Sequence, residues 1–214
     1  MTCPGFRFAA VGLSVAALLL SSCALTKGPD EQVVLRLIAP RVQAVTATRQ
    51  GDVKLVPPRA QGVISQQRYA YSVGAGGALQ QARTLMWDRP PPEYLEQAMA
   101  ATLQAEGLHV MRSSTPGNSV IRLSPTLLQF EERSGPATHA SVVFEVEFAR
   151  ADKPVVVRRY CGRAPIPSGS PDVRAAAFGE ALGVAVKAFA QDVPGTAMAD
   201  RPADCASSLP SSRR

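Results

Sequence analysis

Histidine is almost missing from this chain, with only His109 and His139 among 214 residues. Neither has a metal-ligand spacing such as HxxxH, and no CxxC accompanies them, so no metal centre is expected. The chain also lacks a Gly-x-Ser-x-Gly turn, since neither "SVGAGG" (72–77) nor "PSGSP" (167–171) sets a serine between two glycines. The "GAGG" at 74–77 has neither the Lys-Ser/Thr of a P-loop nor the last glycine of a dinucleotide turn, and reads as a flexible connection. Glu145 and Glu147 stand at i, i+2 on one strand face opposite Arg158 and Arg159. That is the arrangement of solvated cross-strand ion pairs and not of a general acid/base couple. No catalytic residue and no cofactor is therefore expected, and a hydrolase is the weakest of the readings. Lys and Arg exceed Asp and Glu by 23 to 17, yet they form no run interleaved with aromatics. This argues against nucleic acid and leaves a mild lean towards anionic headgroups or an acidic partner. No internal repeat is evident.

Long apolar runs are equally scarce. The longest, from Phe8 to Leu20, spans about thirteen residues where a crossing helix needs roughly 20, and it follows a single basic residue, Arg7. It reads as the hydrophobic region of a secretory signal. Directly after it comes "LSSC", Leu20-Ser21-Ser22-Cys23. This resembles the lipobox of bacterial lipoproteins, in which small residues admit a protease and the cysteine thiol carries a diacylglycerol. The resemblance implies cleavage before Cys23 and acylation of its sulfur and its new amino group, which together give stable anchoring. Ala24, and not an aspartate, follows Cys23, so the lipoprotein sorting pattern points to the periplasmic face of the outer membrane.

Of the four cysteines, Cys3 would leave with the signal and Cys23 would be blocked by lipid. Cys161 and Cys205 remain, in a compartment expected to be oxidising. One disulfide between them is the expectation, with two free thiols as the alternative.

The organisation follows as a signal peptide at 1–22, a lipidated tether at 23–31, one domain at 32–193 and a Pro/Ser/Ala/Arg-rich tail at 194–214. Within the domain, β-rich segments fall at 32–40, 52–58 and 66–73, the last with Tyr69, Tyr71 and Val73 on one side and Arg68, Ala70 and Ser72 on the other. A helix over 90–107 begins at the proline triplet, carries Leu95, Met99 and Leu103 on one stripe and stops at Gly107. Strands are predicted at 108–113, at 119–132 with Pro125 marking a bend or an edge, at 140–150 and at 154–161. A second helix starts with Asp172 as N-cap and buries Phe178, Leu182, Ala185 and Phe189. The fold class is α+β, a single domain with an antiparallel or mixed sheet and two helices packed on one face.

A lipobox, a short strand, "VKLVPPRAQGVISQQRYAYSV" and "LMWDRPPPEYLEQAMAATLQAEG" in this order resemble the ABC-type transport auxiliary lipoproteins, the PqiC-like family. The matching positions are Pro57, Tyr69, Tyr71, Trp87, Pro90, Pro91, Leu95, Leu103 and Gly107, within a likeness over about residues 32–192. The Cys161/Cys205 pair and the third proline depart from the pattern. The resemblance implies a lipid-anchored, non-catalytic component that docks on the periplasmic MCE-domain protein of an ABC transporter complex, supporting lipid transport and membrane integrity. It leaves homo-oligomerisation open, and a structural envelope lipoprotein without a transport partner is the competing reading. Trp87, the only tryptophan, is expected to fold over the first turn of the helix against Tyr94, Leu95 or the sheet. With Tyr69 and Tyr71 it is a structural anchor or, alternatively, a partner contact.

Overall fold

A computed structural model describes residues 31–38, 51–74, 76–111, 120–151 and 153–193. The chain divides into Met1–Glu31 and Gln32–Arg214, and the second unit holds every strand and helix described below. The signal segment, Cys23, the tether up to residue 30, and the tail with Cys205 lie outside the described residues.

Three long consecutive strands carry the architecture: β6 (Ile121–Ser134), β7 (His139–Arg150) and β8 (Lys153–Pro165), each antiparallel to the next. Alternation builds β7, where Val142, Phe144, Val146 and Phe148 are all buried on one face. The other edge of β6 is shared. β2 (Asp52–Leu55) runs parallel to its first residues, and β3 (Arg68–Val73) runs parallel to its last. Between them residues 56–60 stay bonded to β6, through Val56 N–H to the Leu123 carbonyl, Arg59 N–H to Pro125 and Leu127 N–H to Arg59. The sheet therefore forks, with β5 (His109–Met111) outside β2, and β4 (Gln80–Trp87) and β1 (Val33–Leu35) outside β3. It is a mixed sheet of eight strands.

Pro125 lies in the central strand, where a bend or an edge was expected. Its carbonyl faces residue 59, so its missing N–H falls on the irregular side of β6 and the β6–β7 ladder loses nothing. β4 was not foreseen at all, because "QQARTLMW" has no clean alternation. The alternation read in β3 also fails: a register shift between Arg68 and Ala70 leaves Ala70 and Ser72 buried and Val73 exposed. The "GAGG" glycines form the turn of the β3–β4 hairpin, with Gly74 and Gly76 at positive φ.

Helix α1 (Pro91–Ala105) starts behind an extended Pro90 and has Pro91 in its first turn, where a missing N–H costs no hydrogen bond. It ends in a Schellman arrangement: Gly107 at φ +82°, its N–H bonded to the Gln104 carbonyl and Leu108 N–H to Leu103. Ser170, and not Asp172, stands at the N-cap position of helix α2 (Pro171–Asp192), without a side-chain capping bond, and Asp172 in the first turn places its charge at the positive end of the dipole. Both predicted stripes are buried, Leu95, Met99 and Leu103 in α1 and Phe178, Leu182, Ala185 and Phe189 in α2. The two helices pack on each other and on one face of the sheet.

Gly162 sets how closely α2 approaches the sheet. A Cβ there would stand 1.8 Å from the Ala181 carbonyl oxygen and 2.9 Å from the Ala185 nitrogen, both backbone atoms that cannot rotate away. Gly162→Ala is expected to push α2 off β8 at a cost of about 1–3 kcal/mol, as overpacking does. Urea denaturation measures this, and an unchanged midpoint would show that the helix is free to shift.

Candidate functional site

The two signature segments converge on one aromatic node. Trp87 ends β4 at 1% exposure, and its indole meets four rings. Tyr69 of β3 lies at 5.5 Å, Phe130 of β6 at 5.4 Å, Phe178 of α2 at 5.0 Å and Tyr94 of α1 at 6.0 Å between centroids, the last three edge-on. Edge-on contacts set the positive rim of one ring against the negative face of the next. Trp87 thus anchors five elements from inside the core and offers no face to a partner. It reaches Tyr94 as expected, but from the end of a strand and not from a helix-entry loop. Tyr69 is buried beside it, and Tyr71 is half-buried at the core's margin.

The residues after the tryptophan explain the proline triplet. The backbone N–H of Asp88 donates to the Leu35 carbonyl, tying the strand end to β1. Its carboxylate accepts from the Tyr94 hydroxyl and from Arg36 Nε at 3.1 Å, and Leu37 N–H reaches the Tyr94 oxygen at 3.4 Å. Partial burial pulls the Asp88 pKa upwards, but the bonds from Tyr94 and Arg36 and the charges of Arg89 and Arg36 outweigh it and hold the carboxyl below its usual range. Burial and the Asp88 bond together push the Tyr94 hydroxyl up to about 12. This cluster clips residues 35–37, the first part of the domain after the tether, to the start of α1.

A second cluster sits at the start of α2. Glu132 accepts from the Tyr69 hydroxyl at 2.6 Å and from Arg174 Nε at 2.9 Å, and the guanidinium also donates to the Gly169 carbonyl. Burial first, then the bond to Glu132, raises the Tyr69 pKa far above the ordinary phenol range. Glu132 is aimed at the helices by a bulge. The β6 register shifts between Leu127 and Gln129, so the inward face passes from Leu123, Pro125 and Leu127 to Phe130 and Glu132. No periodicity in "LLQFEE" announces this, and sequence reasoning missed Glu132, Arg174, Asp88 and Arg36. At the far end of α2, Asp192 accepts from Arg158 Nη1 at 3.1 Å and from the Tyr160 hydroxyl at 3.0 Å.

Among the other expected residues, Glu145 pairs with Arg159 on the face away from the helices, at 2.9 Å. Arg158 points to the opposite face and serves Asp192, so the double cross-strand pairing read for Glu145 and Glu147 reduces to one. His109 is exposed beside Asp52 and His139 bonds to the Ala137 carbonyl. Cys161 is disulfide-bonded, and its partner is not among the described residues. Among those residues no three of His, Cys, Asp and Glu form a metal-ligating group, and no helix is long and apolar enough to cross a membrane. The convergent polar groups are all engaged with one another at helix ends, and an arrangement of this kind locks geometry.

No known family's model matches the chain, and no curated protein does. Among solved structures it is similar to XCC0632 from Xanthomonas campestris, a protein of the DUF330 family. The two share 18% identity over 74% of this chain and 92% of that one, with a TM-score of 0.65. It is also similar to an uncharacterised protein at 14% identity, over 77% of this chain and 99% of that one, with a TM-score of 0.58. At these identities the likeness is one of fold.

Trp87→Ala is expected to cost about 3–5 kcal/mol, as large-to-small changes of buried aromatics do. The wild-type indole should emit blue-shifted and resist iodide quenching; emission near that of free indole in water would place the ring on the surface. Asp88→Asn tests the other cluster through pH. The folded-state pKa of Asp88 is depressed, so its contribution is full above the unfolded value of about 4 and is lost as pH falls through the lower folded value. The wild type should therefore exceed Asp88→Asn in urea midpoint at pH 7, and the gap should close in acid. A gap that is constant with pH would exclude the carboxylate's charge as its source.

Proposed function

We propose that this protein is a non-catalytic outer-membrane lipoprotein of an ABC/MCE-type envelope lipid transport system. In this reading Cys23 carries the lipid, and the domain docks on the periplasmic MCE subunit and supports membrane integrity. The reading rests on the pairing of a lipobox-like sequence at residues 20–23 with a body that shares the fold of a DUF330 protein. The PqiC-like resemblance of the segments around Tyr69 and Trp87 supplies the transport partner.

Two physical points support it. The polar clusters tie helix ends to the sheet, and among the described residues their groups are engaged with one another, which suits a docking body better than an enzyme. A tether of about eight residues reaches at most some 25–29 Å. A body held that close to its membrane needs a partner that spans the rest of the periplasm, and an MCE protein projecting from the inner membrane meets that need. A structural lipoprotein acting alone is the second reading, favoured only by the absence of any partner-specific motif.

The test combines anchoring with genetics. Cys23→Ala should abolish palmitate labelling and leave an unprocessed precursor. In envelopes, the wild-type protein should cross-link to an MCE subunit, and deleting both should weaken the membrane no more than deleting either. Additive defects without cross-linking would favour the structural lipoprotein, and palmitate labelling of the Cys23→Ala variant would remove the lipobox reading.

A further inference from the structure

The first residues of the domain carry more than the clip to Asp88. Along residues 33–38 exposure alternates: Leu35 and Leu37 are buried in the core, whereas Val34 and Ile38 are 57% and 72% exposed. Arg36 stands between them with its side chain 84% exposed, despite its bond to Asp88. The registers extend this outward row across three strands. Val34 pairs with Met86 of β4, and Met86 with Arg68 of β3, so the three side chains share the face turned away from the helices. Arg68 is exposed and donates to the carbonyl of Arg83, itself exposed. Arg89, with its side chain 43% exposed, lies at the rim of the group.

Exposed aliphatic side chains interleaved with cations suit a headgroup layer, where apolar burial and attraction to anionic lipid act together. The group holds four arginines and one carboxylate, Asp88. The nearest other acids along the chain are Glu31, which precedes the strand, and Glu93, which belongs to α1. The other exposed aliphatic pair on this face, Val155 and Val157, mixes signs: Glu147 is in register with Val157, and the next row holds the Glu145–Arg159 pair. Chain geometry favours the same surface. Val33 follows Cys23 by ten residues, so β1 is the described element that a lipid at Cys23 would hold closest along the chain. Ten extended residues span at most about 36 Å.

We propose that the surface of Val34, Arg36, Ile38, Met86, Arg68 and Arg83 rests on the anionic headgroups of the membrane in which Cys23 is anchored. The aliphatic side chains enter between headgroups, and the guanidinium groups bond lipid phosphate, which their planar fork of donors matches. This contact fixes how the domain stands on its membrane, which a tether alone does not do. It rests on the lipoprotein reading, which supplies the anchor.

The test uses the full mature, palmitate-labelled protein reconstituted in vesicles of equal parts phosphatidylglycerol and phosphatidylcholine, or of phosphatidylcholine alone. Amide exchange across residues 33–38 should be about fivefold slower in the phosphatidylglycerol vesicles, and the difference should vanish at about 1 M salt. Exchange in α2 should be the same in both. The variant Ile38→Asp with Arg83→Glu should lose the protection while keeping the wild-type urea midpoint. Equal exchange in the two vesicle types, or protection that the double variant retains, would sink the membrane contact and leave the anchor standing. Protection in native envelopes but not in phosphatidylglycerol vesicles would assign the surface to a protein partner instead. A mature protein that carries no palmitate would overturn both the contact and the lipoprotein reading.

Discussion

The indole of Trp87 is the point through which the elements of this domain hold one another. Strands β3, β4 and β6 and both helices each contribute one ring or its immediate neighbour, and none of these rings reaches solvent. A large rigid side chain at such a junction transmits position, because close-packed interiors have no slack to absorb a displaced ring. The prolines after it then make physical sense. They stop β4, turn the chain and start α1 within four residues of the indole, so the angle between strand and helix is fixed on both sides of the turn.

Around this apolar centre the polar interactions follow a single pattern. Tyr69 donates to Glu132, Tyr94 to Asp88 and Tyr160 to Asp192. Each carboxylate also receives an arginine: Arg174, Arg36 and Arg158 respectively. All three sets lie at a helix end, at the start of α2, the start of α1 and the end of α2. Such pairs add little net stability, the buried ones because desolvation offsets their attraction and the exposed Arg36–Asp88 pair because water screens it. A misplaced helix would leave a carboxylate without donors, which is far more costly than the pair is favourable. These sets therefore select one arrangement of helices on sheet, while the apolar stripes supply the driving force.

The two faces of the sheet divide the labour. One is sealed by α1 and α2, at a distance set by Gly162. The other carries Cys161, the Arg159–Glu145 pair and the exposed Val155 and Val157. Among the described residues, a domain so committed to its own packing on the first face leaves edges, hairpin tips and this second face open to a partner.

Local pattern by itself determined the helices, β7 and the α+β class. The 3.6-residue stripes through Leu95, Met99 and Leu103 and through Phe178, Leu182 and Phe189 are one-dimensional signals that survive any context, as is the strict alternation of β7. The lipobox-like run Leu20-Ser21-Ser22-Cys23 is a reading of the same local kind, since it rests on adjacent residues. Tertiary structure decided what depends on two distant segments meeting. β4 exists because β3 and β1 flank it, not because its own sequence alternates. Pro125 is tolerated in the central strand because the segment opposite its missing N–H is irregular. Glu132 faces inwards because one bulge at Leu128 reverses the parity of β6, and no count of residues along the chain can foresee where a partner strand will force that extra residue out.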